Sequence, residues 1–251
     1  MSRSTPETQK RKSKKARLSH EKFDITVCLK VGKQQKEFII HKTLLCNAAA
    51  EFKKNFDQYA KDDMNISVSE ALKVDQDDPE TFRWFTRWLY ADQILQQEET
   101  TDDVTWSTLI SLYLFSHNHG IPALQNHVID ILIDKKYQAV GFPSNQLNIV
   151  YEHMKYGAPL RRLFIDWAAF TETMEDETWI NEEKEENIPK TFLMDVIRAQ
   201  YQMKSRYSHP NVDFRKCRDH YHVKMTDVNG EKKVPVDVGD DSVEIGEEGS
   251  Y

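Results

Sequence analysis

Metal-binding side chains gather in one stretch near the carboxy end, HPNVDFRKCRDHYHVK, which holds His209, Cys217, His220 and His222. A thiolate and several imidazoles are the donors zinc takes up. The geometry expected for such a site puts His220 and His222 on one face of a strand, with Cys217 approaching across a bend and His209 outlying. Cys-x-x-His-x-His matches no standard finger spacing. The competing reading is an aromatic-rich terminal strand or turn packed onto helices. A second candidate pair, His41 and Cys46, sits in EFIIHKTLLCNAAAEF. Five residues across a strand-to-helix junction suit neither an i, i+4 helical pair nor a tight cysteine knuckle, and no third ligand lies nearby. The expected role is structural: His41 hydrogen-bonds the turn's backbone and Cys46 packs as a small hydrophobe.

Charge supplies the third candidate. The run KRKSKKAR contains Lys10, Arg11, Lys12, Lys14, Lys15 and Arg17. Such runs are read by nuclear import receptors or contact nucleic acid, and a solvated tail is the plain alternative. The first 20 residues sum to +6 and the remainder to −13, within a net charge of −7. A groove for phosphates needs clustered positive charge, so the acidic body is not expected to bind nucleic acid, and only the arm could do so. Arg161 and Arg162, just after Pro159, are expected to pair with acids on neighbouring helices or to stay solvated. Gly-rich phosphate loops, His-Glu-x-x-His and Gly-x-Ser-x-Gly are missing from the sequence. The expectation is a non-enzyme with no cofactor.

The elements that position these groups follow from periodicity. Residues 1–20 lack it and read as a disordered basic arm. Ile25, Val27, Leu29 and Val31 alternate with polar positions, Gly32 opens the turn GKQQ, and KEFII resumes, predicting a hairpin with Cys28 facing away from the core. Leu45, Ala48, Ala49, Phe52 and Phe56 then adopt helical spacing, with Thr43 as the expected cap. NISV and ALKV are short strand candidates at 65–68 and 71–74. DQDDPETFRWFTRWLY marks a helix start: Asp78 caps, Pro79 takes the first position and Glu80 favours the positive end of the dipole. Phe82, Trp84, Phe85, Trp88 and Leu89 fall within an arc of about 160° and read as core rather than as a ligand cage. Further helices are predicted at 104–117, 122–136, 144–156, 159–171 and about 188–204. An acidic solvated connection spans 172–186, and the tail ending in DVGDDSVEIGEEGSY reads as disordered.

The chain is 39% hydrophobic, and no window approaches the roughly 18 apolar residues of a membrane span. The basic start lacks a following apolar stretch, so no secretory signal is expected. Asn65-Ile66-Ser67 is then a coincidental sequon. Three scattered cysteines point to a reducing compartment, nucleus or cytoplasm.

Strand, turn and strand followed by Phe38-x-x-His41-x-x-x-Leu45-Cys46-x-x-Ala49-x-x-Phe52 resemble the BTB/POZ domain. DDPETFRWFTRWLYADQI (77–94) is similar to the version common in fungal members. YEHMKYGAPLRRLFIDWAAF (151–170) is similar to the helical part that follows the domain there. The resemblance implies an α+β fold, a small mixed sheet flanked by helices over residues 22–136. An all-helical extension follows over 137–206, then a carboxy-terminal segment, 207–251, ending in the acidic tail. It also implies docking to other proteins, a homodimer among them, in a scaffold or regulator that the basic arm directs to the nucleus through an import receptor. A substrate adaptor of a cullin-type ubiquitin ligase is the alternative. Where members that bind cullins often carry a hydrophobic-x-Glu element, this chain reads NFDQYAKDDMN. Ala49-Ala50-Glu51 replaces the family's usual serine, proline and aromatic residue.

Overall fold

The computed structural model describes residues 25–62, 72–138, 142–170, 188–204 and 213–224. The basic arm, the 65–68 strand candidate, the 172–186 connection, His209 and the acidic tail all lie outside these residues.

Period-two alternation builds the hairpin. Strand β1 (Thr26–Val31) turns Val27, Leu29 and Val31 into the core, while Thr26, Cys28 and Lys30 face outward. Residues 32–35 reverse the chain, and β2 (Lys36–His41) returns antiparallel, with Cys28 opposite Ile39 and Thr26 opposite His41. Strand β3 (Leu72–Val74) pairs in parallel with the other side of β1, so the sheet is mixed, in the order β2–β1–β3. Gly32 is required at the turn for two reasons. Its φ is +71°, and a Cβ there would lie 2.9 Å from the Pro79 ring.

The helical stretch after His41 departs from expectation. It begins directly off the strand as α1 (Lys42–Ala48), with His41 in the cap position and no side-chain cap bond. Thr43 therefore lies inside the first turn. Ala49 is extended (φ −132°, ψ 110°), and the chain restarts as α2 (Ala50–Asp62). The break changes the helix direction while Leu45, Ala49 and Phe52 all stay buried.

Helix α3 (Pro79–Ala91) starts as its sequence predicts. The Asp78 carboxylate accepts from the Thr81 N–H at 2.8 Å, and Pro79 occupies the first turn. Phe82, Phe85 and Trp88 are buried, Trp84 and Leu89 pack at the core's edge, and the Arg87 guanidinium lies 5.0 Å over Trp84. Helix α4 (Trp106–Asn118), capped by Thr105, buries a continuous run from Leu112 to Ser116 as well as Leu109 and Ile110. A helix apolar on every side must be enclosed on every side. Phe115 meets Phe85 at 4.9 Å on the sheet side, and Trp106 meets Trp167 at 6.1 Å on the other.

Helix α5 (Pro122–Gln138) packs along α4. A 3-10 turn (Ser144–Gln146) precedes α6 (Leu147–His153), and α7 (Pro159–Phe170) pairs with α8 (Lys190–Lys204). Buried Asp195 of α8 joins these last three helices. It receives Arg161 Nη2 at 2.6 Å, the Tyr151 hydroxyl at 3.1 Å and Arg198 Nη1 at 3.0 Å. Arg161 thus pairs with an acid on a neighbouring helix, as expected.

Gly32→Ala should lower unfolding free energy by about 1–3 kcal/mol, from the left-handed backbone together with the Pro79 clash. Lys33→Ala, at the exposed next position, should change it by less than about 0.5 kcal/mol. Urea denaturation of both variants checks this, and equal effects would remove the packing argument.

Candidate docking surface

The carboxy-terminal residues with metal-ligand chemistry are arranged as a clasp. Phe214–Lys216 and Arg218–Tyr221 form 3-10 turns where a strand was expected for His220 and His222. The turns let alternate residues reach α5 and α7 instead of sharing one face. Phe214 and Tyr221 are buried. Arg218 grips the Asp134 carboxylate and, at 3.0 Å, the Asp130 carbonyl. Asn126 bonds both backbone groups of Val223, accepting at 2.7 Å and donating at 3.1 Å. The Tyr137 hydroxyl accepts from Phe214 N–H at 2.8 Å.

His222 Nε2 lies 3.0 Å from Asp130 Oδ1. The His220 carbonyl accepts from Arg162 at 2.7 Å, while its ring stands edge-on to Tyr221. Cys217 is exposed and free. Among the described residues, no three His, Cys, Asp or Glu side chains come together to hold a metal. Tyr221 donates to Asp166 at 2.8 Å. Burial pushes the Asp166 carboxyl up to about 6, against the lowering effects of that hydrogen bond and of Arg162.

His41 closes the other end of the hairpin. Its Nδ1 is 2.7 Å from the Tyr90 hydroxyl of α3, which also accepts from the His41 backbone N–H at 3.2 Å. Cys46 is half-buried in α1, and burial raises its thiol pKa, which leaves less thiolate for metal or nucleophilic chemistry. Neither residue of the pair has the surroundings of a reactive centre.

A further histidine escaped the sequence reading. His119, at the end of α4, points Nε2 at Asp77 (2.8 Å) and Nδ1 at Glu51 of α2 (3.0 Å). The Glu51 contact is one of charge rather than an aligned hydrogen bond. Its ring stacks on Phe52 at 4.9 Å and lies against Phe115 at 4.5 Å. Burial alone would lower its pKa, but the hydrogen bond and charge of Asp77, joined by Glu51, hold it above the ordinary value. Two carboxylates around an imidazole resemble acid–base machinery. Here both ring nitrogens face carboxylates and both flanks are packed, so neither nitrogen is left for a substrate. The arrangement is a clamp between α2, the start of α3 and α4. HNHGIP shows only a helix end, and no spacing links it to Asp77 or Glu51.

The outward face of the hairpin has an apolar centre within a polar surround. Ile39 of the edge strand β2 is 71% exposed, opposite Cys28, with the Lys30–Glu37 ion pair beyond it. Tyr90, 47% exposed, extends the patch beside His41. An edge strand offers unpaired backbone groups as well as this face. No helix among the described residues is long and apolar enough to cross a membrane.

The raised His119 pKa gives the clamp a pH dependence of known sign. Its contribution is fully present below the unfolded histidine pKa and is lost as pH rises through the folded value. His119→Gln should therefore cost about 1–3 kcal/mol near pH 6 and less near pH 8.5. His117, His220 and Asp166, which titrate nearby, are common to both proteins and cancel in the difference. Urea titrations at the two pH values test it, and a deficit independent of pH would show that only packing is lost.

A comparison with curated proteins found no match. Residues 15–136, which include the sheet, α1 to α4 and all but the last two residues of α5, match the family model of the BTB/POZ domain, and the chain is a BTB/POZ domain-containing protein.

Proposed function

We propose that this chain is a docking scaffold or regulator working in the nucleus, and that the outer face of the β1–β2 hairpin is the surface its domain presents to protein partners. The observation that carries the reading is Ile39. A large aliphatic side chain left exposed on an edge strand, beside Cys28 and Tyr90, adds nothing to the fold. Buried against a partner, an apolar centre with a polar rim drives association, and here Lys30, Glu37 and His41 supply the rim. A second copy of the chain is one such partner. The clusters that could do chemistry support a non-enzymatic role, because their side chains are engaged with neighbouring elements.

Nuclear placement is supported by Lys10, Arg11, Lys12, Lys14, Lys15 and Arg17, a density of positive charge suited to the acidic grooves of import receptors. A second reading, substrate adaptor of a cullin-type ligase, is favoured by α6, α7 and α8. These helices extend the domain through the Trp106–Trp167 contact and could carry a substrate site.

Affinity purification with mass spectrometry separates the two readings. Partners should be recovered with the wild type and lost with Ile39→Asp, whose exposed position spares the fold. No cullin should appear under conditions where a known adaptor recovers one, and recovery of a cullin would favour the adaptor. Deleting residues 9–18 should abolish nuclear accumulation of a tagged chain, and unchanged accumulation would remove the import role from the arm.

A further inference from the structure

Helix α8 is apolar on two sides. Phe192 and Val196 are buried toward the rest of the fold, with Asp195 held between Arg161 and Arg198. On the other side Met194, Ile197 and Tyr201 follow at intervals of three and four residues, with Leu193 four before Ile197, the spacing of a single helical stripe. Ile197 is 58% exposed and Tyr201 78%. A surface helix normally gives that side to charged and polar residues. A contiguous exposed apolar stripe marks a contact surface.

The charge around the stripe selects what can cover it. Asp195 is the one acid between residues 190 and 204, and it is buried and neutralised. Lys190 stands exposed at the start of the helix and Arg198 flanks the stripe, its side chain 60% exposed. The first turn carries no acidic residue, so the positive end of the dipole adds to Lys190.

We propose that this face docks an amphipathic helix of a partner protein whose apolar stripe is flanked by acidic residues. Leucine or isoleucine side chains at three- and four-residue spacing would enter between Ile197 and Tyr201, and carboxylates would meet Lys190 and Arg198. A second copy of α8 fits less well, because it would bring the same cations to the same rim. An anionic membrane is also disfavoured. Among the described side chains two flanking cations fall short of the basic clusters that hold proteins to lipid headgroups, and the opposite face of α8 is packed against protein instead of facing water.

The test uses the full chain and two synthetic helical peptides with the same leucine/isoleucine stripe, one flanked by glutamate and one by lysine. Fluorescence anisotropy should show the glutamate peptide binding at least about tenfold more tightly, an advantage that shrinks with added salt. Ile197→Asp should weaken that binding at least about tenfold, whereas Ile39→Asp should leave it unchanged, so this surface and the hairpin face stand or fall separately. Equal binding of the two peptides, or binding indifferent to Ile197→Asp, would overturn the proposal. So would a self-associated wild type that Ile197→Asp makes monomeric in sedimentation, or phosphatidylserine vesicles binding the chain in an Ile197-dependent way.

Discussion

The packing of α4 governs the rest of the molecule. Its run of buried residues from Leu112 to Ser116 leaves no side of the helix able to face water. Such a helix is stable only when other elements enclose it, since its own hydrogen bonds contribute little net free energy. The sheet half answers with Phe82 and Phe85 against Phe115, α5 lies along its length, and Trp167 of α7 meets Trp106. The domain and its helical extension are therefore two coverings of one core helix.

Enclosing a helix in this way buries loop and helix ends, and those ends carry polar groups that need partners. The structure meets the need with ionisable side chains reaching between elements. At the end of α4 the His119 ring reaches Asp77 and the charge of Glu51, and buried Lys135 donates to the Thr101 carbonyl at 2.7 Å. Asp195 gathers Tyr151, Arg161 and Arg198. Removing one partner from such a buried group leaves the other uncompensated, which costs more than the intact pair contributes. These links specify which ends meet; the apolar core supplies the net stability.

What the sequence disclosed and what it withheld divide along the range of the interactions. The hairpin, the turn at Gly32 and the start of α3 were legible because alternation, a glycine and Asp-Pro-Glu act within a few residues. The outward direction of Cys28, which is half-buried, followed from the same alternation. The break at Ala49 was not legible, since helical spacing continues through it and only core packing demands the change of direction. His119 lies 42 residues from Asp77, and Arg218 lies 84 from Asp134. No local pattern joins such pairs. The Cys217, His220 and His222 run drew attention by residue type, yet what its histidines meet is set by α5 and α7.

The contrast between engaged polar groups and exposed apolar ones bears directly on function. A catalytic centre keeps polar groups turned toward a substrate with hydrogen-bonding capacity in hand, and a docking surface keeps apolar area turned toward solvent. Here His41 meets Tyr90, His119 meets Asp77 and Glu51, His222 meets Asp130, and Trp88 donates to His127 at 2.6 Å. Large apolar side chains held out to solvent among the described residues include Ile39 on the hairpin, and Ile197 and Tyr201 on α8. Exposing them contributes nothing to stability, and covering them with a partner would remove apolar area from water at roughly 25 cal/mol per Å². Among the described residues these polar side chains join the chain's own elements, while exposed apolar area is left for contact with other molecules.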